Sequence, residues 1–121
     1  MYSAQVLDHF EHPRNAGTVE SPDAQVRIEN PACGDVLQLS LRISDGRIEE
    51  IRFLARGCVA SMACASALTE LVRGRSITLA RELSREEIVK AAGGLPAASI
   101  HASHLAIDAL TAALDQIQRK C

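Results

Sequence analysis

Hydrophobic and polar positions follow two rhythms along this chain. From Tyr2 to His12 the apolar residues Val6, Leu7 and Phe10 fall at helical spacing, and Pro13 stops the pattern, which predicts a short helix. The stretch from Arg14 to Asp23 contains Asn15, Gly17, Ser21 and Pro22 and reads as a loop. A period of two then takes over. Val26 and Ile28 alternate with polar neighbours, and Leu37, Leu39, Leu41 and Ile43 alternate strictly with Gln38, Ser40 and Arg42. Asp45-Gly46 is a hairpin signal, and Ile51, Phe53 and Ala55 resume the alternation beyond it. Three antiparallel strands with one buried face are expected.

After Gly57 the period changes again. Ala60 to Val72 is rich in Ala, Ser and Cys and ends near Gly74, as a helix does. Ser84-Arg85-Glu86-Glu87 is a capping box that opens a short helix running out at Gly93-Gly94. A last helix follows Pro96, with Leu105, Ala109, Leu110, Ala113, Leu114 and Ile117 as its apolar stripe. The order of helix, strands and then helices predicts an α+β fold, a small three-stranded antiparallel sheet with helices packed on one face. A single domain over residues 1–121 is expected.

Composition narrows the function classes. Thirteen basic and fifteen acidic residues leave a net charge of −2, and the aromatics are only Tyr2, Phe10 and Phe53. Such a chain has neither the charge nor the stacking surface for nucleic acid. A hydrophobic share of 47% is enough for a core. The segment from Met1 to Asn15 carries Asp8, Glu11 and Arg14, so the apolar run of a signal peptide is missing from it. No apolar run approaches the roughly 20 residues that span a bilayer. A cytoplasmic protein with free thiols is the expectation, and its four cysteines then read as metal or sulfur chemistry rather than disulfides.

Cys33 lies in Asn30-Pro31-Ala32-Cys33-Gly34-Asp35, a loop just ahead of a strand. A thiolate and a carboxylate two positions apart on such a loop can face one ion; a buried structural Cys with Asp35 capping the turn is the open alternative. Cys58 stands between the end of a strand and the start of a helix, where the helix dipole favours thiolate over thiol. Cys64, six residues on, is rotated by about 240° net and raised by about 9 Å on the same helix, so it reads as a small core residue. Cys121 is terminal and is given no role. His101 and His104 lie on one face at the start of the last helix, where an imidazole can complete a ligand set with Cys33 and Cys58; an exposed pair near the helix N-terminus is the open alternative. His9 and His12 flank the end of the first helix and read as structural. Cys33, Asp35, Cys58 and His101 together offer two sulfurs, an oxygen and a nitrogen, a set that suits zinc or an iron–sulfur cluster. No close pair such as C-x-x-C anchors them, so spacing alone does not establish that they meet.

The chain resembles the NifU/IscU-type iron–sulfur cluster assembly scaffolds over essentially its whole length. The matching pieces are Val6-Leu7-Asp8-His9-Phe10 with His12-Pro13-Arg14-Asn15-Ala16-Gly17, then Pro31-Ala32-Cys33-Gly34-Asp35. The run from Gly57-Cys58 through Ser66, Leu68-Thr69-Glu70 and Gly74 also matches, as do Leu95-Pro96, Ile100-His101 and Leu105-Ala106. The resemblance implies the α+β fold with a metal site at one tip of the sheet, and ligand roles for Cys33, Asp35, Cys58 and His101. It implies a transient [2Fe–2S] cluster, with zinc as an alternative occupant, acting by ligation and hand-off rather than by turnover. Its implied partners are a cysteine desulfurase, which delivers sulfur as persulfide, and apo iron–sulfur client proteins.

The chain departs from the family at two places. Ala102 stands where the family has a third cysteine, the persulfide acceptor in many members, so Cys33 or Cys58 has to take the persulfide directly. Leu95-Pro96-Ala97-Ala98-Ser99 replaces Leu-Pro-Pro-Val-Lys, which leaves chaperone-assisted release without its recognition segment. His104, two residues past the missing thiol, is a minor candidate ligand. A branch of zinc-dependent sulfur acceptors shares a segment like Ser61-Met62-Ala63, but tends to carry lysine where this chain has His101 and has an insertion before the last helix that this chain lacks. Three readings follow: the cluster scaffold, which leads, a zinc-binding sulfur acceptor for the desulfurase, and a degenerate member that binds a partner without metal.

Overall fold

The structure is a computed structural model that describes residues 2–30 and 34–120. Helix α1 spans Ala4–Glu11, with the Ser3 hydroxyl accepting from the Val6 N–H as its N-terminal cap. Strands β1 (Ala24–Asn30), β2 (Asp35–Ser44) and β3 (Arg47–Arg56) form an antiparallel sheet in the order β1-β2-β3. Asp45 and Gly46 join β2 to β3 with φ values of 52° and 73°, the left-handed pair that a two-residue hairpin demands. Four helices follow: α2 (Val59–Val72), α3 (Ile77–Arg81), α4 (Arg85–Ala92) and α5 (His101–Lys120). The capping box of α4 is present as expected, Ser84 and Glu87 bonding reciprocally, and Gly93 closes the helix at φ 105°. Sequence pattern passed over α3, a five-residue turn capped by Ser76, and the 3₁₀ turn Ala97–Ser99.

Register carries the alternation of the sequence into a buried face. Val26, Leu39 and Phe53 are cross-strand neighbours, as are Ile28, Leu37 and Ala55. Helices α2 and α5 lie over this face, α5 against β1 and β2 and α2 against β3. Helix α2 is buried nearly all round, because Ala60, Ala63, Ala65 and Ala67 let neighbours approach closely on every side. Its far side takes α1 and α4 through a second small cluster of Val6, Ala63, Ala67 and Ala92. The opposite sheet face carries Arg27, Glu29, Gln38, Arg42, Glu50 and Arg52.

The loop between α1 and β1 does more than connect. Phe53 N–H donates to the Asn15 carbonyl at 3.0 Å and Gly17 N–H to the Phe53 carbonyl at 2.8 Å, so this segment covers the outer edge of β3. Val19 then buries itself against the outer face, its N–H on the Ser40 hydroxyl at 2.9 Å.

His9 and the start of that loop are pinned to α2 through one buried hydroxyl. Ser66 Oγ lies 2.8 Å from His9 Nδ1 and accepts the Arg14 N–H at 2.9 Å. His9 is therefore structural, as expected, through a buried hydrogen bond rather than through the helix end. Ser66→Ala strands two buried polar groups at once and is expected to cost about 1–3 kcal/mol. Urea unfolding checks it, the midpoint falling while the slope is unchanged.

Candidate metal centre

At one end of the sheet three element ends meet. Asp35 is the first residue of β2, and Val36 pairs with Arg56, the last residue of β3. The chain turns at Gly57 and enters α2 with Cys58 as its N-terminal cap. That register brings Cys58 against Asp35, and the start of α5 places His101 beside both.

Asp35 is almost wholly buried, and its carboxylate is met from three directions. Oδ1 accepts the Cys58 N–H at 3.2 Å, and Oδ2 accepts the Ser61 hydroxyl at 2.6 Å and the Cys58 thiol at 3.6 Å. Burial alone pushes this carboxyl up, but the Ser61 hydroxyl, the two Cys58 contacts and the nearby His101 together hold it below its ordinary value. Cys58 Sγ in turn accepts the Ser61 N–H at 3.4 Å, as a capping side chain does.

The orientation of His101 is decided by a carbonyl. Nδ1 lies 3.3 Å from the Ala98 oxygen, which can only accept, so Nδ1 carries the hydrogen. Nε2 then faces Asp35 Oδ2 at 3.5 Å, buried and without a hydrogen-bond partner, alone in this among side-chain nitrogens and oxygens of the described residues. In a neutral ring that geometry turns a lone pair toward a carboxylate oxygen. A proton or a metal cation between them removes the conflict. Histidine ligands are held in this way, one nitrogen on a carbonyl and the other on the metal.

The donor atoms of Asp35, Cys58 and His101 all lie within 4.8 Å of one another. Tetrahedral zinc with bonds of about 2.0–2.3 Å separates its ligand atoms by roughly 3.3–3.8 Å. The sulfur–oxygen distance of 3.6 Å and the nitrogen–oxygen distance of 3.5 Å fall inside that range. The residues present therefore fit a metal centre of mixed sulfur, oxygen and nitrogen donors. Of the four ligands expected from the sequence, three come together, and Cys33 lies outside the described residues, as does Cys121.

The other candidates fall elsewhere. Cys64 sits in the core with its thiol pushed up by burial to about 12, the state of an inert thiol. His104 is exposed and engages the Arg85 guanidinium, so it stands outside the trio. Ala102 is packed in the hydrophobic core.

Sequence reasoning missed Ser61 and Gly57 as parts of this site. Ser61 had a signal, since it stands three residues after the cap residue and so points back at it. Gly57 has a steric reason: a Cβ there would lie 2.1 Å from Asp35 Oδ1, and its φ is 148°.

The family model described as NifU-like N terminal domain matches residues 1–121. The chain is 42% identical over 120 residues to the iron–sulfur cluster assembly scaffold protein IscU 1 of Archaeoglobus fulgidus, spanning 99% of this chain and 78% of that one. It is 39% identical over 123 residues to the iron–sulfur cluster assembly scaffold protein IscU of Escherichia coli, spanning 98% and 95% respectively. Among solved structures, a putative iron–sulfur cluster assembly scaffold protein for the SUF system from Fervidobacterium islandicum superposes with a TM-score of 0.79. That likeness covers 93% of this chain and 96% of the other at 19% identity, and speaks for the fold alone.

Two outcomes are expected of the metal-free protein. Gly57→Ala forces the backbone out of its conformation or Asp35 out of its place, and lowers stability by about 2 kcal/mol or more, read from the urea midpoint. Because folding lowers the Asp35 pKa from 3.8, the stability it contributes is complete well above that value and is lost as pH falls below it. The advantage of wild type over Asp35→Asn in urea unfolding therefore shrinks between pH 6 and pH 3.

Proposed function

The chain belongs to the family of NifU-like N-terminal domains, scaffolds for iron–sulfur cluster assembly, and on that premise we propose that it holds a transient [2Fe–2S] cluster on Cys33, Asp35, Cys58 and His101. The observation that carries this reading is the buried, unpartnered Nε2 of His101, turned into a space it shares with a carboxylate and a thiol. A proton or a metal ion would answer that arrangement, and the Cys58 sulfur beside the pair favours the metal. Cys33, two residues before Asp35 in the chain, supplies the fourth donor.

The chain's own residues do three things in this scheme. Cys58 brings a sulfur to the end of a helix where its backbone N–H fixes the neighbouring carboxylate. His101 brings a nitrogen whose direction the Ala98 carbonyl has already set. Asp35 brings a hard oxygen, a weaker partner for iron than a thiolate, which suits cargo that has to leave again. Sulfur comes from a cysteine desulfurase, and the finished cluster goes to apo iron–sulfur client proteins. With Ala102 in place of the third thiol, Cys33 or Cys58 attacks the outer sulfur of the donor persulfide. The sulfur–sulfur bond of the donor breaks and its cysteine leaves as thiolate, with no net oxidation. The two electrons that take the transferred sulfur to the sulfide level come from an external thiol reductant, the excess cysteine in the reconstitution below. Zinc is an alternative occupant, since the same donors satisfy its preference.

Anaerobic reconstitution with ferrous iron, cysteine and a cysteine desulfurase tests the assignment through visible charge-transfer absorption. Wild type is expected to build a cluster and to pass it to an apo-ferredoxin, while Cys58→Ser and His101→Ala lose most of the colour. A colourless wild type beside a coloured Ala102→Cys would overturn the four-ligand set and leave the zinc-bound sulfur acceptor as the better account.

A further inference from the structure

The resemblance assigns Ser61 no ligand role, yet the 2.6 Å hydrogen bond from its hydroxyl to Asp35 Oδ2 is the shortest contact in the centre. Ser61 is itself only 3% exposed, so little water reaches this hydrogen bond to compete for it. Oδ2 is also the oxygen that faces Cys58 Sγ and His101 Nε2, and is therefore the one a metal held by the trio would draw on. Oδ1 is turned the other way, onto the Cys58 N–H. We propose that the Ser61 proton competes with metal for Asp35 Oδ2, and so sets how tightly and how long the centre holds its metal. This inference rests on the reading of Asp35, Cys58 and His101 as ligands.

Two effects of the hydroxyl oppose one another. A hydrogen bond that fixes the carboxylate favours binding by preorganisation, whereas one that draws electron density from the ligating oxygen disfavours it. The structure decides between them. A hold on Asp35 remains when the Ser61 hydroxyl is removed, because Oδ1 still accepts a backbone N–H. Removing the hydroxyl therefore costs little order and frees the oxygen. On release, the same proton is at hand to take Oδ2 back from the departing metal.

The experiment is an anaerobic titration of the metal-free protein with Co(II) alone, for wild type, Ser61→Ala, Asp35→Ala and the double variant. Thiolate-to-cobalt absorption reports binding, and stripping by excess chelator reports release. Ser61→Ala is expected to bind about tenfold tighter and to release about tenfold more slowly, the size, with the opposite sign, of the losses usual when a partner that supports a metal ligand is removed. In the Asp35→Ala background that gain disappears, which a purely structural role for Ser61 would not produce. Unchanged or weaker binding by Ser61→Ala, or the same gain without Asp35, overturns the inference. A wild type with no cobalt–thiolate absorption overturns the ligand reading and this inference with it.

Discussion

A carboxylate buried at the first residue of β2 has to be satisfied locally, and much of the architecture around the centre follows from how Asp35 is. A desolvated, unpaired anion is among the costliest features a fold can carry. The first turn of α2 supplies the answer, a backbone N–H and a hydroxyl on the two oxygens. For that turn to reach Asp35, β3 must end opposite the start of β2, the chain must reverse at once, and the reversing residue can have no side chain. Gly57 meets the last condition, and the register of Val36 with Arg56 meets the first. The juxtaposition of Asp35 and Cys58 thus follows from satisfying one charge, with Cys58 carried in as the residue that caps the helix.

The same helix ties the centre to the rest of the molecule. Its small residues place the sheet, α1, α4 and α5 all within touching distance of one rod. Ser66 and Thr69, farther along α2, hold the loop after α1 through Arg14 and Asn15. That loop covers the free edge of β3, whose last residue leads into Gly57 and Cys58. A disturbance at Ser66 thus has a contiguous route to the centre, along α2 directly and along β3 by way of its edge. No helix among the described residues is long and apolar enough to cross a membrane.

What was legible in the sequence was local. The Asp45-Gly46 turn and the Ser84–Glu87 box act over two to four residues and stand in the structure as read, and the alternation of Leu37, Leu39 and Leu41 is kept, with a register shift between Arg42 and Ile43 and with Ser40 buried under Val19. The α+β layering followed from them. Convergence of Asp35, Cys58 and His101 was not legible from spacing, because it depends on register across the sheet and on where α5 starts, both non-local. Family resemblance supplied it instead. His9 was judged structural for the wrong reason, since its partner Ser66 stands far along the chain and no periodicity links them. Gly57 read only as a break between strand and helix, because the carboxylate it makes room for comes from another strand.

A scaffold that must both hold and surrender its cargo cannot have every donor optimised for holding. The arrangement at this centre divides that requirement among its residues. His101 is aimed by a contact that leaves its ligating nitrogen untouched, a carbonyl on the remote ring nitrogen. Asp35 is different, since the oxygen that faces the other donors is the one already engaged by Ser61. Its interaction with metal is a contest, and a contest can be tipped by a small change elsewhere. A nitrogen left unpartnered in the metal-free protein tilts the balance toward loading, and a carboxylate already satisfied tilts it toward release. If the trio holds metal as proposed, those two tendencies, opposed within a few ångströms, favour a centre that can both take up its cargo and give it up.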